Sequence, residues 1–184
     1  MGLIASYDID WQKISTGNLF DSLSGHAFII GARTGNIIGF RVKSKSCSKC
    51  KTANVFDQAP DDHECQINWE RASGAMEAAV ALEICIDLYD GDYAIFIKKI
   101  VSDDDSTLRS HLVHEEQGGK LPLRIPPPEF LADPSHRIKV MSGPIFSLAK
   151  SEGKNPAKCK KIDTLRIKNT LVFISTKIRS NQLR

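Results

Sequence analysis

At 184 residues the chain is long enough for one well-buried domain and short for two. An apolar fraction of 41% beside 26% charged residues belongs to a folded globular protein and excludes a disordered one. The net charge of +3 is too small to argue for nucleic acid by itself, and no run approaches the ~20 consecutive apolar residues that span a bilayer. The first residues, Met1-Gly2-Leu3-Ile4-Ala5-Ser6-Tyr7-Asp8, lack the basic region and long apolar core of a secretory signal. Five cysteines, an odd number, without such a signal point to a reducing compartment, where clustered cysteines serve as metal ligands more often than as disulfides.

Residues 5–13 alternate and are β-prone, which predicts a first strand carrying Asp8 and Asp10. The turn-rich residues 16–25 lead into a second strand over residues 26–32. Thr34-Gly35-Asn36 is a hairpin signal, and residues 37–42 form the third strand of a meander. Residues 44–68 are polar and hold the cysteine cluster. Residues 72–88 predict a helix, with Ala75, Ala79, Leu82 and Ile86 at helical spacing and Ser73 as its cap.

A fourth strand follows Asp90-Gly91-Asp92 and runs through Ile100 into Asp103-Asp104-Asp105. Residues 106–114 predict a second helix. Residues 117–128, rich in Gly and Pro, read as a loop with little regular structure, followed by a short apolar piece at Phe130-Leu131-Ala132. Residues 137–149 predict a further helix, and beyond Lys150 a basic segment carries only Glu152 and Asp163 as acids. A helix or strand is expected through Leu171-Val172-Phe173-Ile174. The β-β-β-α-β-α order is a mixed α/β layout, a meander followed by a crossover.

Cys47-x-x-Cys50 and His63-x-Cys65 offer four thiolate or imidazole ligands, with twelve residues between the halves. The first half has the spacing of a zinc knuckle, and the second is tighter than usual. A four-coordinate Zn²⁺ there is structural, tying down an excursion whose apolar content is little more than Val55 and Phe56. The alternative is a set of separate reduced thiols in a polar loop. Cys85 reads as a core residue and Cys159 as a free thiol.

Three adjacent carboxylates repel, so the cluster at 103–105 needs solvent, a cation, or both. Asp103 is the preferred acid there and Asp105 the alternative. In this element order the first and fourth strands can be neighbours, so a carboxylate from each, Asp8 and Asp103, would converge on Mg²⁺ or Mn²⁺. Asp10 shares a strand face with Asp8 and is a possible accessory ligand. Alone, each reads as a solvated charge, and the triple acid as the cap of the next helix. Asp133-x-x-His136, before Arg137 and Lys139, is a third candidate set; Asp133 also suits a cap ahead of Pro134.

Taken together, the chain resembles the Mutator-like transposase domain of eukaryotic cut-and-paste DNA transposons. The resemblance is carried, in order, by Asp8-Ile9-Asp10-Trp11-Gln12-Lys13, Ser24-Gly25-His26-Ala27, Cys47-x-x-Cys50, His63-Glu64-Cys65 with Asn68, Ser73-Gly74-Ala75-Met76-Glu77, Asp103-Asp104-Asp105-Ser106 and Ala132-Asp133-Pro134-Ser135-His136-Arg137. It spans about positions 5 to 170. It implies a ribonuclease-H-like core of the DDE type, a single catalytic domain over 1–184 with a zinc-binding insertion at about 44–68 and a basic segment from about 150. Asp8 then looks like the first catalytic acid and Asp103 the second. The Cys-x-x-His of many relatives is matched by Asp133 and His136, with aspartate in place of cysteine.

The resemblance also implies transposon-end and target DNA as partners, no membrane, a possible homo-oligomer and a nuclear location. It implies a third acid well downstream. Neither Glu152 nor Asp163 stands in a persuasive helical context, and the chain begins almost at the first catalytic strand, so a partial transposase with weak or absent strand transfer is expected.

Overall fold

The computed structural model describes residues 1–13, 22–103, 106–138 and 140. Strands β1 (Gly2–Trp11), β2 (Ser24–Gly31) and β3 (Ile37–Ser44) form the expected antiparallel meander. Then come α1 (Ser48–Val55), a 3-10 turn at Ser73–Ala75 and the long helix α2 (Met76–Asp90). After α2 lie β4 (Phe96–Ser102), α3 (Ser106–His111) and the short β5 (Glu129–Ala132). The five strands make one mixed sheet in the order β3-β2-β1-β4-β5, so the first and fourth strands are neighbours, as the element order allowed. They begin side by side, with the Phe96 N–H donating to the Met1 carbonyl (3.0 Å).

The chain divides into two compact units. The first contains residues 1–100 and 105–130; the second contains residues 101–104 and those from 131 onward.

The core belongs to the first unit. Alternation along β1 buries Ala5, Tyr7 and Ile9 on one face and leaves Asp8 and Asp10 on the other. Ala27 and Ile29 of β2 extend the buried face, and α2 covers it. Helix α2 is apolar nearly all round, so its inner face could not be read from spacing alone. Met76, Ala78, Val80, Ala81, Ile84 and Cys85 are its buried positions, while Ala75, Ala79, Leu82 and Ile86 are only partly buried against the core. Gly39 on β3 lets the helix come close: a Cβ there would lie 2.4 Å from Ile84 Cγ2. Ser73 does not cap α2. Its buried hydroxyl donates to the Ser22 carbonyl (2.6 Å), while the Tyr7 hydroxyl donates to the Glu77 carbonyl (2.7 Å) and ties β1 to the first turn.

Residues 117–128 do more than connect. Leu121 and Ile125 are core residues, 1% and 2% exposed, and the His114 ring nitrogen bonds the Ile125 carbonyl (2.9 Å). A glycine in the left-handed region, Gly118 with φ 81°, ends the 3-10 turn Glu115–Gln117 that leads there. The expected helix over 106–114 is shorter, ending at His111. In the second unit a helical turn covers 134–138. The helix expected to continue toward 149, the basic segment, Cys159 and the apolar run at 171–174 lie outside the described residues.

Candidate metal centre and acidic residues

The polar excursion after β3 is closed at its base by hydrogen bonds. The Ser44 carbonyl accepts the N–H groups of Asn68 (3.0 Å) and Trp69 (3.1 Å). The Asn68 side chain accepts the Ser44 N–H (2.7 Å) and donates to the Val42 carbonyl (3.0 Å). Asn68 thus clasps the excursion to β3. Trp69 is buried beneath the clasp, with Arg71 4.7 Å and Lys43 5.8 Å from its ring centre.

Within the excursion α1 begins at Cys47, its N-cap, and Cys50 is the third residue of its first turn. None of the α1 residues is buried, so packing contributes nothing to holding this helix. What holds it is the meeting of its first turn with the returning loop. The ligand atoms of Cys47, Cys50, His63 and Cys65 all lie within 4.8 Å of one another, the one such group among the described residues. His63 Nε2 is 3.3 Å from Cys47 Sγ and 3.4 Å from Cys50 Sγ; the Cys50 and Cys65 sulfurs are 3.6 Å apart. A tetrahedral Zn²⁺ with Zn–S of about 2.3 Å and Zn–N of about 2.0 Å would set its ligand atoms about 3.5–3.8 Å apart. The four residues fit that ion.

The histidine is in the ligating tautomer. Its Nδ1 lies 2.7 Å from the Asp61 carbonyl, which can only accept, so Nδ1 carries the proton and Nε2 turns its lone pair toward the sulfurs. The same contact, with Cys47 beside it, raises the His63 pKa above its ordinary value. The N–H groups of Cys50 and Gln66 turned toward the Cys47 sulfur bring its thiol down to about 6, although neither makes a capping bond of ordinary geometry. Cys50 is pushed up to about 11, first by its contact with Cys65 and then by desolvation. Three sulfurs this close cannot all ionise without a cation, and a divalent ion would supply that missing charge. With four protein ligands a bound ion would have no open position, which fits a structural role.

Two helpers of this centre, the Asn68 clasp and the Asp61 carbonyl, went unassigned by the sequence. Asn68 stood in a motif without a role, and a main-chain carbonyl leaves no signal in residue type. Cys85 is buried in α2, its thiol pushed up to about 12 by burial, as a core cysteine requires.

The acids are distributed over the two units. Asp8, in the first, is exposed on β1 opposite Phe28, with the Ile9 N–H on its Oδ1 (2.8 Å). Asp10 is opposite His26. Asp103, in the second unit, directly follows β4, and its Oδ2 lies 3.0 Å from His136 Nδ1. Asp133 has the expected capping geometry: its Oδ1 accepts the Ser135 N–H (2.9 Å) and its carbonyl the Arg137 N–H (3.1 Å). Asp105, Glu152 and Asp163 lie outside the described residues.

Fold and site together define an α/β protein with a five-stranded mixed sheet and a Cys₃His group able to hold structural zinc. The chain belongs to the Mutator-like transposase family, whose family model matches residues 1–183. Nothing matches the chain among curated proteins or among solved structures. No helix among the described residues is long and apolar enough to cross a membrane.

Proposed function

We propose that this chain carries the phosphodiester chemistry of a DDE-type transposase on a ribonuclease-H-like domain, acting on transposon ends and target DNA in the nucleus. The observation that carries this reading is the family match across residues 1–183. The meander followed by a crossover, with β4 beside β1, supports the ribonuclease-H-like architecture. The proposed catalytic acids are Asp8, on β1, and Asp103, immediately after β4. Asp10 and Asp105 are proposed as accessories.

Carboxylate oxygens are hard donors, and Asp8 and Asp103 are both solvent-exposed, which suits Mg²⁺ or Mn²⁺ rather than a thiophilic metal. When bound, such an ion supplies Lewis acidity and a nucleophile generated from water or a 3′-hydroxyl. The acids' own task is to hold charge and direction. Each presents carboxylate oxygens from the region of a strand, where backbone bonds limit how far the side chain can wander. No third acid is assigned. A homo-oligomer is compatible with two-ended DNA substrates. The zinc centre holds the excursion at 44–68 and takes no part in the chemistry.

Mn²⁺-dependent nicking of transposon-end DNA tests this reading. Nicking by the wild type that falls at least ~100-fold in Asp8→Ala and in Asp103→Ala supports it. Salt-dependent DNA binding with no nicking would instead leave a zinc-stabilised binding module derived from a transposase.

A further inference from the structure

In the second unit, the helical turn at 134–138 starts against the end of β4. The carbonyl of Ser102, the last residue of β4, accepts the Asp133 N–H (2.8 Å). Asp133 then caps the turn through its side chain and its carbonyl, as described above. With residue 133 fixed to residue 102, the third residue of the turn comes back over residue 103. That residue is His136, and its Nδ1 meets the Asp103 carboxylate at 3.0 Å. The Asp-x-x-His spacing therefore has a geometric basis: one member anchors on the strand end, and the other reaches the acid one residue beyond it.

The contact contributes little to folding. The His136 and Asp103 side chains are 41% and 50% exposed, and pairs this open to solvent add little to stability. Its consequence is directional. A carboxylate oxygen accepts, so Nδ1–H is the donor whether the ring is neutral or charged. Holding Oδ2 restricts rotation of the carboxylate and gives Oδ1 a fixed direction.

We infer that His136 is a positioning residue for Asp103, fixing its carboxylate so that Oδ1 meets a hard divalent cation in one orientation. This rests on the proposed role of Asp103 as a metal-binding acid. A ligand already oriented gives up less freedom on binding, and partners of this kind commonly change metal affinity ten- to a hundredfold.

The test is calorimetric titration of Mn²⁺ into the zinc-loaded full chain, so that the cysteine centre is already filled. The chains compared are wild type, Asp103→Ala, His136→Ala, His136→Asn and His136→Gln. An asparagine amide nitrogen sits near the place of Nδ1, whereas glutamine reaches toward Nε2. Asp103→Ala is expected to abolish the Mn²⁺ isotherm, His136→Ala to weaken binding about tenfold, and His136→Asn to restore it to within about threefold of wild type, with His136→Gln behaving like alanine. If Asp103→Ala loses Mn²⁺ but His136→Ala binds like wild type, or asparagine does no better than alanine, the positioning role is overturned and the metal site stands. If Asp103→Ala binds like wild type, or wild type binds no Mn²⁺, the metal reading of Asp103 falls and the role of His136 falls with it.

Discussion

Cys47 stands where three influences meet: the start of α1, two facing N–H groups and the His63 imidazole. These favour a thiolate, and a thiolate beside two further thiols favours a soft divalent ion. The protein purified without chelator is expected to carry one zinc per chain by atomic emission, and Cys47→Ser is expected to carry less than a tenth of that. Full zinc in Cys47→Ser would refute the assignment. Cys85 behaves oppositely. Burial raises its thiol from 9.0 to about 12, so the folded chain keeps the proton that an unfolded chain gives up. Its contribution to stability is complete below pH 9 and is lost as pH rises toward about 12. Melting temperature followed from pH 8 upward is expected to fall more steeply in wild type than in Cys85→Ala, and parallel curves would remove Cys85 as the cause.

At the scale of elements, what the sequence made legible follows what each element has to bury. The strands β1 and β2 showed themselves because alternate residues are buried beneath the covering helix, whereas β3 buries none of its residues and was marked by the Thr34-Gly35-Asn36 turn before it. Helix α2 was legible as a helix but not in its facing, because apolar residues surround it; the burial of positions such as Val80, Ile84 and Cys85, with Ile84 close over Gly39, shows which side is inward. Helix α1 was invisible, since it buries nothing and leaves no hydrophobic period to detect. Its ligands were legible all the same, because Cys-x-x-Cys is written in residue type. The pairing of Asp103 with His136 was not, since it arises from a strand end and a cap thirty positions apart in the chain.

The Gly39 contact gives a direct test of the packing of α2 on β3. Gly39→Ala is expected to cost about 1–3 kcal/mol in denaturant unfolding, the usual range for overpacking a tight site. Replacing Ile84 by leucine moves the branch away from the backbone at little change in volume. Adding Ile84→Leu to Gly39→Ala is therefore expected to recover part of the loss, giving a favourable coupling in the double-mutant cycle. Strict additivity would show that the two residues do not meet.

Across the first unit, two kinds of cohesion lie side by side. The sheet and α2 are held by apolar burial, with Met76, Ile84, Ile100, Leu108 and Leu112 almost wholly removed from solvent. No residue from 48 to 68 belongs to that cluster; the excursion has its clasp at Ser44 and Asn68 and its four residues able to hold zinc instead. Losing zinc should then undo the excursion and spare the core. Hydrogen exchange is expected to show residues 48–68 losing protection on chelation, while β1, β2 and α2 keep theirs. The melting temperature should fall by only a few degrees, against the ~2–5 kcal/mol expected for Ile100→Ala, which opens a cavity in the core itself. Trp69, buried at the foot of the clasp, reports the boundary between the two: its fluorescence should shift on chelation only if unfolding spreads past Asn68 into the sheet. Loss of protection in β1 and α2 together with 48–68 would mean that metal and core form one cooperative unit, contrary to the separation argued from burial.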